Sequence, residues 1–244
     1  MNDLVAFVIG FTAALIGAIA SGGGLISIPG LIFLGITPVS AIATTRLNLM
    51  TGGLSAIYRY RKDGAVLLKY MPQFLVLGLL AGIVGPRLLL GINQTTVQHL
   101  IGVMLLLMLP VLWFKKDAGT INIIRSRHRK FIGFFVLAAV LIYTTMFGGG
   151  GGIFLIYTFV YFFGMTVTEA NATGLVVALF ATFVALITYI NGHVVDWSIG
   201  IPLMLGGIGG GYIGAHIALK RGAEWVKIIL TIIIIISGVK LLFW

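Results

Sequence analysis

Cysteine is absent from this 244-residue chain, and charged residues are scarce at 9%. Without cysteine, disulfides, iron–sulfur clusters and thiolate metal sites are excluded. The four histidines are scattered at spacings that form no metal-binding motif, so we expect neither a metal nor another cofactor. A Walker-type phosphate loop is also missing, which excludes ATP hydrolysis by that route.

Apolar residues dominate what is present. They make up 59% of the chain, and the mean hydropathy is +1.13. Several apolar stretches approach the roughly 20 residues that cross a bilayer. The net charge of +10 is concentrated in short loops, which is typical of cytoplasmic loops rather than of nucleic-acid binding. We therefore predict an all-α, multi-pass protein of the cell membrane, with the lipid bilayer and no nucleic acid as a partner.

Two glycine clusters interrupt apolar segments about half a chain apart, at Ser21–Gly24 and at Gly148–Gly152. Glycine costs about 1 kcal/mol in a helix relative to alanine. In hydrocarbon, a broken helix is tolerated only where the freed backbone is buried in protein or lines a polar cavity. Secondary transporters place their binding sites at such matched breaks. The two glycine clusters therefore predict a substrate-binding site.

The sequence divides into two repeats joined by a basic connector. Repeat 1 spans 1–114, with a broken unit at 4–36 and helices at 39–57, 67–90 and 97–114. The connector spans 115–130. Repeat 2 spans 131–244, with a broken unit at 131–164 and helices at 168–190, 198–219 and 225–243. The segment Gly35–Thr44 aligns with Gly164–Thr173, 129 positions later, which supports the division.

Loop charges predict that the two repeats are inverted. The loop at 59–62 is basic, but its counterpart at 191–196 contains no Lys or Arg. The turn at 91–96 is uncharged, but its counterpart at 220–221 is Lys-Arg. Because basic loops stay in the cytoplasm, the two halves have opposite orientations in the membrane. Both termini are then outside and the connector is inside.

Inversion requires an odd number of crossings in each half. Three continuous helices give an odd number of crossings only if each broken unit enters and leaves the membrane on the same side. The arms are short: Ile153–Phe163 has about 11 residues, or roughly 16 Å of helix. We therefore interpret each broken unit as a re-entrant helical hairpin, and we expect the two glycine tips to meet near mid-membrane. A three-crossing version with tilted short helices has the same parity.

Two motifs carry a resemblance to a known family. The run Gly17-Ala-Ile-Ala-Ser-Gly-Gly-Gly-Leu-Ile-Ser-Ile-Pro-Gly-Leu, followed by Leu34-Gly-Ile-Thr-Pro-Val-Ser-Ala, resembles the opening signature of the sulfite exporter TauE/SafE family. The run Phe147-Gly-Gly-Gly-Gly-Gly-Ile-Phe resembles its second glycine motif. The second copy departs from the first, with Tyr157 in place of Pro29. The resemblance implies a permease for sulfite, organosulfonates or related small anions.

The glycine tips are the first candidate site. A half-helix that begins after a tip presents unpaired N–H groups and the positive end of its dipole, which together suit an anion. The candidates are Ser21, Gly22, Gly23, Gly24, Gly149, Gly150, Gly151 and Gly152. Ser21 has two open roles: capping the arm near Gly24, or donating its hydroxyl to the substrate. The alternative for the glycines is close helix packing.

Arg46 is the second candidate, about seven residues into the helix near Val39. A charge this deep faces either a cavity, where an anionic substrate would pair with it, or the interface, to which its side chain would snorkel. Short polar residues nearby and in the second half either bind an oxyanion or bond across helices; they are Thr44, Thr45, Asn48, Asn171 and Thr173. Glu169 either couples transport to protons or caps a helix N-terminus.

These features favour a secondary transporter of a small, sulfur-containing anion such as sulfite or a sulfonate. An anion channel, or a permease for a carboxylate, would use the same tips. An intramembrane enzyme would need a nucleophile–base pair or a metal cluster, and neither is visible in the sequence. A homo-oligomer is compatible with the sequence.

Overall fold

The computed structural model describes residues 2–60, 70–113, 126–220 and 224–243, and this part of the chain is helical without strands. The helices are α1 (Asn2–Ala20), α2 (Gly24–Phe33), α3 (Pro38–Tyr60), α4 (Met71–Leu90), α5 (Gln94–Trp113), α6 (Arg127–Phe147), α7 (Gly151–Thr158), α8 (Val167–Asn191), α9 (Trp197–Lys220) and α10 (Glu224–Phe243). Predictions that fall at 1, 61–69, 114–125, 221–223 and 244 lie outside the described residues. The all-α class is confirmed.

Within the described ranges, five helices are apolar and long enough to cross a membrane, namely α1, α4, α6, α8 and α9. Helices α8, α9 and α10 differ from the sequence-based bounds by no more than one residue. Helix α6 begins earlier than expected, inside the predicted connector, because Ser126 caps it: its hydroxyl accepts a hydrogen bond from the Arg129 N–H at 3.4 Å.

The glycine clusters divide each broken unit unequally. Helices α1 and α2 form the first unit, and α6, α7 and the π-helical segment Phe159–Phe163 form the second. The expectation of short arms is wrong for α1 and α6, which have 19 and 21 residues, or roughly 28–32 Å. It holds for the second arms, with 10 residues in α2 and 8 in α7 plus 5 in the π-helical segment.

Glycines at every fourth position of α9 allow close packing against α1. A Cβ atom at Gly206, Gly210 or Gly214 would overlap the main chain of α1. Phe7 faces Gly206 and Leu15 faces Gly214, so the two helices run in the same direction. Small residues that let backbones approach are a common basis of helix association in membranes. For these glycines, the packing interpretation explains the sequence.

Helix contacts in one half have counterparts in the other. Helix α9 packs on α1 and α3, as α4 packs on α6 and α8. Helix α2 packs on α1 and α3, as α7 packs on α6 and α8. Helices α5 and α10 pack on each other and run in opposite directions, since the Gln98 amide donates to the Leu241 carbonyl at 3.4 Å while Leu106 contacts Gly238.

Helices α3 and α8 also pack on each other in opposite directions. Near the start of α3, the Arg46 guanidinium lies 5.9 Å from the ring centre of Tyr189, close to the end of α8. Further along α3, Gly53 contacts Leu179, which lies earlier in α8. The pairs α3–α8 and α5–α10 are therefore both antiparallel.

An aromatic cluster positions the second arm of the second broken unit. Phe159 and Phe163 pack on Phe74, with ring centres 5.0 Å apart in both pairs. Phe134 lies 5.2 Å from Phe163, and Tyr70 lies 6.3 Å from it. The π-helical segment is thus held against α4 and α6. This cluster also places the starts of α4, α6 and α8 at the same end of the molecule.

Candidate anion-binding site

The two glycine breaks lie in direct contact. A Cβ atom on Gly24 would stand 2.6 Å from the carbonyl oxygen of Gly148. A Cβ atom on Gly152 would stand 2.8 Å from the Cβ of Ser21. Real Cβ atoms do not approach other atoms so closely, so only glycine permits this contact. Both breaks thereby bring the start of a half-helix to one place in the structure.

The start of α2 leaves two amide groups unpaired. The N–H groups of Leu25 and Ile26 donate back to carbonyls of the break, at 3.0 and 3.1 Å. The N–H groups of Gly23 and Gly24 donate no hydrogen bond within the described part of the chain. These two amides are the donors that a helix N-terminus leaves for a ligand.

The start of α7 has the same character. Gly148 and Gly150 adopt left-handed conformations, with φ of 71° and 72°, which turn the chain sharply between α6 and α7. The Ile153 N–H donates to the Gly150 carbonyl at 3.0 Å. The N–H groups of Gly151 and Gly152 precede it and have no acceptor among the described residues.

Ser21 is strained and its hydroxyl is unpaired. Its φ of 55° lies in the left-handed region that non-glycine residues seldom adopt. Gly23, not Ser21, is the N-cap of α2, and no side chain caps that helix. The capping role considered for Ser21 is therefore wrong. The hydroxyl makes no hydrogen bond to any described residue, so it is available to a ligand.

A cavity of about 140 Å³ lies where the two breaks meet. Six of the predicted residues line it, namely Ser21, Gly23, Gly24, Asn48, Gly152 and Asn171. The remaining wall comes from small or apolar residues of α1, α3, α7 and α8, together with Thr144, Gly148 and Thr182. No charged side chain is among the described residues that line the cavity. Its polarity comes from hydroxyls, amides and the backbone of the breaks.

The exposed part of the cavity wall lies at one end of the molecule. Among the lining residues only Asn171, near the start of α8, is exposed. The start of α6 lies at the same end, where the Lys130 ammonium donates to the Tyr70 hydroxyl at 3.3 Å. The exposed part of the cavity wall therefore lies at the end that carries the basic start of α6.

Asn48 is oriented by helix backbones. In the orientation that satisfies its amide, the nitrogen donates to the carbonyls of Leu203 and Gly10, both at 3.3 Å. These bonds tie α3 to α9 and α1 at the cavity wall. The Asn48 side chain, 1% exposed, is thus a fixed part of that wall.

Arg46 is fully buried behind the cavity wall. Its Nη1 donates to the Thr144 carbonyl at 3.0 Å, and its Nη2 donates to the Thr145 carbonyl at 2.8 Å. The Tyr189 hydroxyl donates to the same Thr145 carbonyl at 3.0 Å. With an exposed fraction of 0%, Arg46 does not snorkel to the surface, and that alternative is wrong. Arg46 contacts the cavity-lining Gly148 but does not itself line the cavity.

The other predicted residues lie outside the cavity wall. They are Gly22, Thr44, Thr45, Gly149, Gly150, Gly151, Thr173 and Glu169. Gly22 faces Leu230 of α10. The Thr44 hydroxyl accepts a hydrogen bond from the Asp196 N–H at 2.9 Å, which ties α3 to the loop before α9. The Thr45 hydroxyl is buried and has no partner within the described residues.

Glu169 forms a capping box at the start of α8. Its Oε2 accepts hydrogen bonds from the Thr166 N–H at 2.8 Å and from the Thr166 hydroxyl at 2.9 Å. The Thr166 hydroxyl in turn accepts from the Glu169 N–H at 3.3 Å. The capping interpretation therefore explains the position of this carboxylate. A role in proton coupling stays a prediction.

Thr144 and Thr182 of the cavity wall were not predicted from the sequence. A signal exists for Thr144, because Thr144 and Thr145 interrupt an apolar run just before the second glycine cluster. Thr182 lies in a run of apolar and small residues with no comparable signal. Leu175, the repeat counterpart of Arg46, also lines the cavity.

Comparison with known proteins agrees with the motifs. The family model described as sulfite exporter TauE/SafE matches residues 4–241. The chain belongs to this family. A relative from Haemophilus influenzae, named "Probable membrane transporter protein", is 26% identical, over 99% of this chain and 95% of its own. No solved structure matches the chain.

Two further relatives have similar names and full-length matches. The "Probable membrane transporter protein ORF9" of Sinorhizobium sp is 27% identical, over 97% of this chain and 90% of its own. The "Probable membrane transporter protein YunE" of Bacillus subtilis is 25% identical, over 100% and 98%. Family and helices together make this chain a multi-pass membrane transporter.

Proposed function

We propose that the protein is a secondary transporter of a small, sulfur-containing anion, such as sulfite or a sulfonate, which binds in the cavity between the two glycine breaks. The observation that carries this proposal is the convergence of two helix N-termini on one cavity without a charged lining residue. Each helix N-terminus acts as about half a positive charge and offers free N–H donors. The family description supports sulfite and its relatives as the substrate class.

Three kinds of group would hold the anion. The N–H groups of Gly23, Gly24 and Gly152 would bind its oxygens, and the unpaired Ser21 hydroxyl would donate another hydrogen bond. The strained conformation of Ser21 supports a functional role, because such strain costs about 1–3 kcal/mol and clusters at binding sites. The amide of Asn171 would meet the anion at the open end of the cavity.

Inverted repeats would allow the cavity to open on either side in turn. The opposite directions of α3 and α8, and of α5 and α10, support the inversion, as do the matched contacts of the two halves. The short second arms, α2 and α7, support re-entrant hairpins. If each half then adopted the conformation of the other, the cavity would open at the opposite end of the molecule.

The present conformation would face the cytoplasm. The exposed part of the cavity wall lies at the end with the basic start of α6, which the positive-inside rule assigns to the cytoplasm. At the other end, Arg46 and Tyr189 close the space between α3, α6 and α8. A cavity closed at one end supports a carrier over a channel, since an open channel is continuous.

The test removes the Ser21 hydroxyl without straining the backbone. In Ser21→Gly the new glycine readily adopts the positive φ found at this position, so the stability of the protein should not fall. A hydrogen bond to a charged ligand contributes about 1.5–3 kcal/mol, so affinity should weaken at least about tenfold. Transport of sulfite, thiosulfate, sulfoacetate and acetate would be measured in proteoliposomes, with counterflow to identify a carrier.

Thr12→Ala provides the matched control. Thr12 is exposed on α1, the helix that ends just before Ser21, and its hydroxyl donates to the Val8 carbonyl at 2.8 Å, away from the cavity. This variant should transport like the wild type. Wild-type affinity in Ser21→Gly would remove the hydroxyl from the site. No flux of any of the four anions by the wild type would overturn the proposed function.

A further inference from the structure

We propose that Arg46 selects negatively charged substrates from behind the cavity wall, without touching them. This inference rests on the proposed anion site and assigns its charge selectivity to one residue. Arg46 is a positioning residue in this scheme, because it acts through the second glycine break.

Arg46 lies one residue away from the cavity. A Cβ atom on Gly148 would stand 3.2 Å from both Nη1 and Nη2, so the guanidinium packs directly on this glycine. Gly148 and Thr144 both line the cavity. No side chain separates the guanidinium from the cavity at Gly148, so its field reaches a bound anion through little intervening protein.

The hydrogen bonds of Arg46 change the charge balance of the break. A broken unit ends one helix and begins another, so the negative end of one dipole lies beside the positive end of the next. Arg46 donates to the carbonyls of Thr144 and Thr145 in the last turn of α6. A full positive charge thus covers the negative end of α6, while the positive end of α7 stays uncovered.

The structure supplies no carboxylate for this charge. Within the described part of the chain, Arg46 interacts with the carbonyls of Thr144 and Thr145 and with the Tyr189 hydroxyl, none of which is a carboxylate, and its Nε has no partner. A buried guanidinium without a counter-charge is expensive in a membrane protein. An anion in the adjacent cavity supplies the missing charge when it binds.

The two repeats supply this charge only once. The counterpart of Arg46, 129 positions later, is the apolar Leu175, which lines the cavity. A buried positive charge beside the cavity favours an anionic ligand. Anions such as bisulfite or a sulfonate are therefore bound in preference to neutral molecules of the same shape.

The experiment compares two ligands of similar shape, methanesulfonate and dimethyl sulfone, of which only the first is charged. Binding of each to purified protein would be measured for the wild type, Arg46→Lys, Arg46→Gln and Arg46→Met. For charges about 6–7 Å apart at an effective dielectric constant of about 20, loss of Arg46 should weaken methanesulfonate binding on the order of a hundredfold. Dimethyl sulfone should change less than about threefold, and Arg46→Lys should retain most of the preference.

Tyr189→Phe is the matched control, because it removes a donor to the same Thr145 carbonyl and leaves the charge in place. It should keep the preference for methanesulfonate. Equal loss of both ligands in Arg46→Gln and Arg46→Met, or an unchanged preference in either variant, would overturn the inference. A wild type without preference for methanesulfonate would overturn the anion site itself.

Discussion

Contact between the two breaks can be tested with one added methyl group. Gly24→Ala places a Cβ atom 2.6 Å from the Gly148 carbonyl oxygen and 2.8 Å from its carbon. Both atoms belong to the backbone, so neither can rotate away as a flexible side chain would. The variant must either separate the breaks or distort one of them.

The size of the effect follows from this geometry. Restoring ordinary contact at about 3.4 Å or more requires a shift of nearly 1 Å between two packed breaks. Overpacking of this kind costs about 1–3 kcal/mol. For a protein of this size, each kcal/mol lowers Tm by about 2–4 °C, so we expect a fall of roughly 2–12 °C. Transport should fall as well, because the amides of the two breaks no longer converge.

Gly174→Ala is the control within the same cavity. A Cβ atom there would lie 3.5 Å from a ring carbon of Phe159, which is ordinary contact, and Gly174 is inside α8. Alanine should raise Tm or leave it unchanged, since it is the better helix former by about 1 kcal/mol. Thermal denaturation and proteoliposome flux would be measured for both variants. Wild-type Tm and flux in Gly24→Ala would show that the breaks do not touch in the membrane.

Two further pairs of variants test the orientation and the helix packing. Asn171→Cys should react with an impermeant thiol reagent in inside-out vesicles, and the transported anion should slow this reaction. Asn191→Cys should instead react in intact cells, and labelling of position 171 from outside would contradict the assigned orientation. Gly210→Ala should destabilise the protein by about 1–3 kcal/mol because its Cβ would overlap the Phe11 carbonyl. Gly209→Ala should not destabilise it, because its Cβ would lie 3.5 Å from the Phe11 ring, which is ordinary contact. Equal Tm values for these two variants would refute the α1–α9 packing.

The glycine clusters could be recognised as breaks from the sequence because each interrupts an apolar segment at a matched position in its half. Adjacent glycines weaken a helix but do not always end it, since the run 209–211 lies inside the continuous helix α9. The unequal arms were harder to predict, since the first arm of each unit depends on where the helix begins. Ser126 extends α6 into a segment that composition alone assigns to a loop. Capping by one hydroxyl outweighed the polar character of that segment.

The partners of Arg46 could not be predicted from residue types. An unpaired arginine in an apolar helix implies a partner, and carboxylates or substrates are the partners that a sequence can suggest. Its actual acceptors are the main-chain carbonyls of Thr144 and Thr145, about 100 positions away in the chain. Backbone acceptors carry no sequence signal. Thr44 was equally hidden, because its partner is the main-chain N–H of Asp196.

From the sequence, close packing and anion binding are alternative explanations of the glycine clusters, but in the structure the same glycines can serve both roles. The approach of Gly24 to Gly148 needs glycine for steric reasons alone. The same absence of side chains exposes the amides that would bind an anion. Glycine substitutions therefore report on whether the breaks converge and cannot separate the two roles. Substitutions of Ser21 and Arg46 can separate them, because Ser21 contributes a hydroxyl to the cavity and Arg46 contributes a charge behind its wall.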